Sequence, residues 1–452
     1  MKSISTILIV LMSLTTMAQS TFLKSFSYWD RAEANVIFEE SDGYVVGLCA
    51  DIGESGYLIL LKTNFDGDSV WTKKFILNKQ SANISDYIID ASGNKIIIVP
   101  QIGGANNIFK FDNSWNLIYN GSMGLEAPYK IKILNDNNYL LISRNQGFHI
   151  LHKINGTTLD NIWTGDSLTN EYYYMIANMI ETSESEIILT TKNTYFDEVE
   201  ISSTIYKINS DGHLISEFTF DQFVIGSTKY INDNLYSLVY RDGNSGAFNS
   251  LITYSPDGTI IDSIDITTAN TSYREFIEDG NTKVMVGLHL EPGDNFYHTA
   301  IGSFTNDQIT WSKNHGDPNS NVDKYYPSDI VKTSDNGYLI VGTISMSNNS
   351  YLPYLLKTDS VGNINTVGLK ENGKQSTYAI YPNPASEFIK ILPLLSTSKI
   401  VNVELYNSNG ILISNKCLDK ENKLNVRNLT NGVYILKITS NNSIEVCKFI
   451  ID

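Results

Sequence analysis

The residues able to do chemistry in this chain of 452 residues are few and scattered. Six histidines (His149, His152, His213, His289, His298 and His315) form no metal-binding helix pattern, and there is no nucleophile-elbow serine and no glycine-rich phosphate loop. His289 with Glu291, Asp294 and His298 is the nearest thing to a cluster. It straddles an Asp/Gly/Pro turn, so solvated loop residues are expected there in preference to a metal centre. Asp66-Gly67-Asp68 and Glu291-Pro292-Gly293-Asp294 place oxygen atoms as a calcium loop would, but the recurrence of such tips between strand-like runs favours turn chemistry. Tyr172-Tyr173-Tyr174 and Tyr325-Tyr326 have the aromatic faces of a sugar-stacking platform. Half-buried strands favour the same residues, which makes packing their expected role. Three cysteines (Cys49, Cys417 and Cys447) are too few for a disulfide framework or a four-ligand zinc site. Cys417 and Cys447 pair if their strands are adjacent; two unpaired, buried thiols are the alternative. No catalytic residue, metal ligand or cofactor is nominated, because a repeat architecture can bring together carboxylates from any of many segments.

The elements that must position these residues repeat along the chain. Leu58-Ile59-Leu60-Leu61-Lys62 is a strand ending in a basic or polar residue, here Lys62, followed by the turn Phe65-Asp66-Gly67-Asp68 and a second strand opening with Val70-Trp71. The pattern returns at Ile108-Phe109-Lys110, Ile150-Leu151-His152-Lys153, Ile205-Tyr206-Lys207, Leu251-Ile252-Thr253-Tyr254, Ala300-Ile301-Gly302-Ser303 and Tyr354-Leu355-Leu356-Lys357. Another β-rich run precedes each copy, such as Tyr44-Val45-Val46-Gly47 or Tyr338-Leu339-Ile340-Val341-Gly342. Asp-Gly and Asn-Gly tips between such runs mark hairpins, because their turns need positive φ. Two hairpins per unit of about 43–55 residues is the anatomy of a propeller blade. The prediction is an all-β fold: a seven-bladed β-propeller, with six or eight blades as alternatives and an open β-solenoid as the rival, followed by a small antiparallel β-sandwich. The seventh repeat lacks the fourth strand that ends repeat one as Trp71-Thr72-Lys73-Lys74-Phe75. Phe22-Leu23-Lys24-Ser25-Phe26 has that spacing, and is expected to supply the missing strand from the other end of the chain.

Composition limits the partners. The chain is 42% hydrophobic and 11% aromatic, which rules out wholesale disorder. Its net charge of −16 repels nucleic-acid phosphates and anionic lipid, so no nucleic-acid partner is expected. Lys2, the apolar run from Ile7 to Leu14 and the small-residue site Thr16-Met17-Ala18 read as a secretory signal peptide over residues 1–18. No other stretch approaches the length of a transmembrane helix. The repeats then occupy 19–368, a polar linker 369–377, and a different pattern 378–452.

That last pattern runs Tyr381-Pro382-Asn383-Pro384-Ala385-Ser386, Phe388-Ile389-Lys390-Ile391, residues 401–410 ending in Asn409-Gly410, then Gly432-Val433-Tyr434-Ile435-Leu436-Lys437-Ile438 and Val446-Cys447-Lys448-Phe449-Ile450-Ile451. Its strands, hairpin turn at Asn409-Gly410 and glycine turn at Gly432 describe the sandwich. In order and identity it resembles the type A sorting domain of type IX secretion cargo from Bacteroidota, with Pro382, Asn383, Pro384, Gly410, Gly432, Tyr434 and Lys448 as the matching positions. It departs from that pattern at Asp452, where a basic ending is common. The resemblance implies escort across the outer membrane by the type IX machinery after passage through the periplasm. It also makes four turns, among them Asp68-Ser69-Val70 and Asp359-Ser360-Val361, similar to the O-glycosylation pattern of that phylum; plain turn chemistry is the other reading. The functional expectation is a secreted or cell-surface module, not an enzyme, that binds a glycan or a protein. The alternative is a glycan hydrolase or lyase working at the mouth of the propeller channel.

Overall fold

The computed structural model describes residues 20–364 and 378–451 apart from single residues and short stretches between strands, and among the described residues every regular element is a β-strand. The strands fall into antiparallel groups of four. In the first group Arg31–Glu40, Gly43–Ile52, Ser55–Thr63 and Ser69–Leu77 pair each with the next. The same order recurs over residues 86–121, 128–168, 174–221, 224–265 and 271–315. The seventh group contains Val322–Lys332, Tyr338–Met346 and Tyr351–Thr358 and takes its fourth strand, Phe22–Ser25, from the other end of the chain. The register is Phe22↔Lys357, Leu23↔Leu356, Lys24↔Leu355 and Ser25↔Tyr354, the closure expected from sequence. From the second group to the seventh the first strand of each lies near that of the next, Val322–Lys332 returns to Arg31–Glu40, and Phe38 on that strand packs against Tyr87 of the second group, so the groups form a closed ring. Single parallel bridges, Tyr297↔Lys324 and Arg31↔Tyr351, join the sixth, seventh and first groups edge to edge.

The repeated residues seen in sequence hold this arrangement together. Asn64 Oδ1 accepts the backbone N–H of Asp66 (3.0 Å) and of Asp68 (2.8 Å), and Asp359 Oδ1 does the same for Val361 (3.0 Å) and Asn363 (2.7 Å). These oxygens make turns. Four tip glycines, Gly67, Gly212, Gly258 and Gly362, have left-handed φ, +76° at Gly67 and +78° at Gly362, and each is covered by an aromatic ring from the preceding group. A Cβ on Gly212 would lie 2.6 Å from Trp163, one on Gly258 2.6 Å from Phe218, and one on Gly362 2.5 Å from Trp311. Phe22 takes that place over Gly67, at 2.7 Å. The closing strand therefore reproduces both the pairing and the packing of an ordinary fourth strand.

The basic residue that closes the third strand in five of the seven groups also has a fixed use. Lys110 meets Asp90 at 3.1 Å, Lys153 meets Asp136 at 2.7 Å, Lys207 meets Glu186 at 2.8 Å and Lys357 meets Asp335 at 3.0 Å; Lys62 pairs with Asp42. Each acid comes from the turn between the first two strands of its own group. Burial pulls the Lys357 ammonium below its ordinary range, with Asp335 opposing.

The terminal residues form two further sheets. Tyr378–Tyr381, Phe388–Pro393 and Lys423–Asn425 make one; Leu412–Lys416, Ile400–Asn407, Gly432–Ser440 and Ile444–Ile451 make the other. Ile389, Ile391, Leu405, Leu436, Ile438 and Phe449 share one core between them. Gly432, expected within a turn, instead opens its strand with φ +153°. The signal peptide, the linker 369–377, Pro382, Gly410 and Cys417 lie outside the described residues. Among the described residues no helix is long and apolar enough to cross a membrane.

Candidate functional site

The first strands of the groups surround the ring axis, and most carry an irregularity in the middle. Register shifts fall between Ala34 and Val36, Pro128 and Lys130, Ile176 and Asn178, Ile225 and Thr228, Tyr273 and Glu275, and Pro327 and Asp329. A bulge re-aims the side chain that follows it. In five of these strands that residue is polar, and in four it reaches a neighbouring group. Asp329 Oδ2 accepts Ile37 N–H at 3.2 Å, and Asn178 Oδ1 accepts Thr228 N–H at 3.2 Å while its amide donates to Gly226 O at 2.9 Å. Asp86, at the start of its own strand, accepts Ile131 N–H at 2.9 Å.

These contacts gather ionisable groups from all around the ring. Tyr87 O–H donates to Asp329 Oδ2 at 2.8 Å, and Glu275 accepts Ser227 Oγ–H and lies 3.5 Å from Lys229. Lys130 stands 3.8 Å from Asp86. Burial pushes the Asp329 carboxyl up to about 7, against the hydrogen bonds from Tyr87 and Ile37 and helped by the charge of Glu275, although water still reaches part of the side chain. Burial likewise raises Asp86, opposed by Lys130, and raises the Tyr87 phenol, which also feels Asp329. The Lys132 ammonium is lowered by burial and by Lys229, with Glu181 opposing. The cluster offers a proton-holding acid beside a phenol, but its oxygens are also the bolts that join one group to the next.

The six histidines do not gather into one site. His149 Nδ1 is 2.7 Å from Tyr129 Oη, and His152 Nε2 is 2.8 Å from Ser143 Oγ with its pKa lowered by burial. His213 pairs with Asp166 at 3.2 Å, and His315 Nε2 donates to Gly362 O at 2.8 Å. His289 corrects the expectation of a solvated loop: it is buried, with Nδ1 2.7 Å from Thr271 Oγ1 and Nε2 3.3 Å from Glu291 Oε1. His298 lies opposite it across the hairpin with its ring on Phe296, while Asp294 lies outside the described residues. Among the described residues no three His, Cys, Asp or Glu side chains are placed to hold a metal. Tyr325 packs edge-on against Tyr354 in the core, as expected, but Tyr326 faces the other way and is partly exposed. Tyr172 and Tyr173 lie outside the described residues.

Sequence reasoning missed Asp86, Tyr87, Lys132, Glu275 and Asp329. The available signal was a polar pair set in an apolar first strand, as in Arg274-Glu275-Phe276 and Ser328-Asp329-Ile330.

In the terminal sheets, Asn383 Oδ1 accepts Ile450 N–H at 2.8 Å, and the following Asn383–Pro384 peptide is cis. Ala385 then pairs with Ile451, drawing the first loop onto the last strand. Tyr434 is buried and donates to Thr430 O at 2.7 Å. Lys448 is exposed on the same last strand, 3.4 Å from Asp68.

Residues 379–452 match the family described as the secretion system C-terminal sorting domain. No curated protein matches the chain in sequence. Among solved structures, the chain is similar to the Dos1 propeller (10% identity, TM-score 0.44, covering 74% of this chain and 94% of that one). It is also similar to the β-propeller domain of the Trilobed protease from Pyrococcus furiosus (8%, 0.43, 74% and 99%) and to Drosophila Semaphorin 2a (7%, 0.46, 95% and 97%). The sorting domain implies export through the type IX machinery, to the cell surface or beyond.

Proposed function

We propose that this is an exported protein whose body, a seven-bladed β-propeller over residues 19–368, binds a glycan or a protein, and whose terminal β-sandwich over 378–452 addresses it to the type IX machinery after a signal peptide at 1–18. The observation that carries the address is the family match over 379–452, on a unit with its own two sheets and core. Binding is favoured over catalysis at the axis because Asp86, Asn178 and Asp329 spend their hydrogen-bonding capacity on backbone N–H groups of the neighbouring group. A glycan hydrolase or lyase is the second reading, supported by Asp329, with its carboxyl near 7, standing beside Tyr87.

Deleting residues 378–452 tests the address: the truncated body is expected folded in the periplasm, and equal amounts of truncated and full-length protein outside the outer membrane would refute it. An array of glycans and surface proteins probed with the purified body separates the functional readings. Retention without turnover supports the binder. Release of new reducing ends or unsaturated sugars, lost in Asp329→Asn, supports the enzyme.

A further inference from the structure

The two seams that flank the seventh group carry the same pair of side chains. Tyr297 opens the third strand of the sixth group and Tyr351 opens that of the seventh. Each is bridged in parallel to a cation near the start of the next group's first strand, Tyr297 to Lys324 and Tyr351 to Arg31. Lys324 Nζ lies 5.0 Å from the centre of the Tyr297 ring and 5.6 Å from that of Tyr326, so the ammonium sits between two phenol rings. Arg31 Cζ lies 4.8 Å from the centre of the Tyr351 ring. All five side chains are at least partly exposed, with 45% of the Arg31 side chain open to solvent.

The third strands run from these tyrosines to the turns at their far ends, finishing at Thr305 and Thr358. Both pairs therefore lie on the face away from those turns, on neighbouring seams. Their cations are incompletely neutralised. Among the described residues Lys324 has no carboxylate in ion-pair range, and Arg31 reaches only Glu33, at 3.4 Å, whose other oxygen accepts from Asn83 at 2.8 Å. A cation over a ring keeps its N–H donors turned outward.

We propose that this two-seam platform binds an acidic polysaccharide, one with a carboxylate on its sugar rings. This rests on the reading of the body as a binding module and chooses the glycan over the protein; the net charge of −16 repels any polyanion at long range, so the local cations and ring faces must supply the affinity. A pyranose ring presents an apolar C–H face that stacks on a phenol ring, and its carboxylate accepts from the adjacent ammonium or guanidinium. Neither half alone selects this ligand: a neutral sugar leaves the cations unused, and an acidic peptide leaves the ring faces unused. The two seams lie three strands apart, Tyr297 to Lys324 to Ser345 to Tyr351, or about 14 Å, so sugars a few units apart on one chain can engage both, which multiplies two weak contacts.

The test is calorimetric titration of the purified full-length protein with polygalacturonate, with a neutral dextran and with poly-glutamate. Polygalacturonate is expected to bind, dextran not to bind, and poly-glutamate to bind at least about tenfold more weakly. Tyr297→Ala and Tyr351→Ala are each expected to weaken polygalacturonate about tenfold, and the pair Arg31→Gln with Lys324→Gln by more. Tyr297→Phe and Tyr351→Phe retain the ring and are expected to stay within about threefold of the parent, which separates lost stacking from lost folding. No binding of polygalacturonate, equal binding of poly-glutamate, or indifference to the alanine and glutamine variants would overturn the proposal. Capture of a neutral glycan by the same protein would overturn it while leaving the binding-module reading intact.

Discussion

Phe22→Ala should unlock the ring. Phe22 is 9% exposed and lies in the register that joins Phe22–Ser25 to the seventh group, with its ring over Gly67. Truncating a buried phenylalanine costs about 3–5 kcal/mol, and the lower end applies on a strand this short at a sheet's outer edge, so about 3 kcal/mol is expected. Gly67→Ala attacks the same contact from the other side. It forces φ +76° on a residue with a Cβ, for about 1–2 kcal/mol, and also drives that Cβ to 2.7 Å from the Phe22 ring. With alanine at position 22 the second cost vanishes and the first remains. The two substitutions should therefore couple by about 1 kcal/mol or more in a double-mutant cycle. The assay is urea unfolding of residues 19–452 followed by tryptophan fluorescence, with Trp163→Ala as the matching change at an internal junction. Superimposable curves for Phe22→Ala and the parent, or the same cost for Gly67→Ala in both backgrounds, would refute the role given to the first strand.

Two further outcomes follow from buried charge. The Asp329 carboxyl titrates near 7 in the native ring against 3.8 when exposed, so the folded state keeps a proton that the unfolded chain releases. Its contribution to stability is full below about pH 4 and declines as pH rises toward 7; Asp329→Asn should flatten that slope in thermal melts taken across the range. Asp335→Ala leaves the fully buried Lys357 ammonium without its carboxylate; because that carboxylate is 38% exposed and partly screened, the expected loss is about 2 kcal/mol. Lys357→Met, which removes the charge as well, should cost less in the same melts.

The repeat was legible because it is written in local chemistry. Asp-Gly and Asn-Gly turns, a basic residue closing five of the seven third strands and the Phe22-x-Lys24 spacing all specify contacts a few residues away or repeated at a fixed interval. The axial cluster was not, since Tyr87 and Asp329 come from the second and seventh groups and meet only after the ring closes. The bulges hid it further: a one-residue shift before Asp329 and Glu275 breaks the alternation by which a facing is read from sequence. The same limit applies at the seams. Tyr325 and Tyr326 look alike in sequence, yet strand alternation sends one into the core and the other to Lys324. His289 was misread because a loop-like neighbourhood says nothing about Thr271, which arrives from the adjacent strand.

Pairing the first residues of the body with its last group also makes the fold a check on completeness. Lys357, the partner of Phe22, is synthesised only after the rest of the ring, and the sorting domain only after that. A chain broken or arrested before residue 351 lacks the partner of its first strand and lacks the address as well. A chain arrested there is thus unsealed and without its address, and synthesis of the sorting domain follows that of the strand needed to shut the ring. The long-range pairing slows folding, since closure waits on contacts between the ends of the body. In exchange, every intact chain that reaches the outer membrane carries both halves of its own seal.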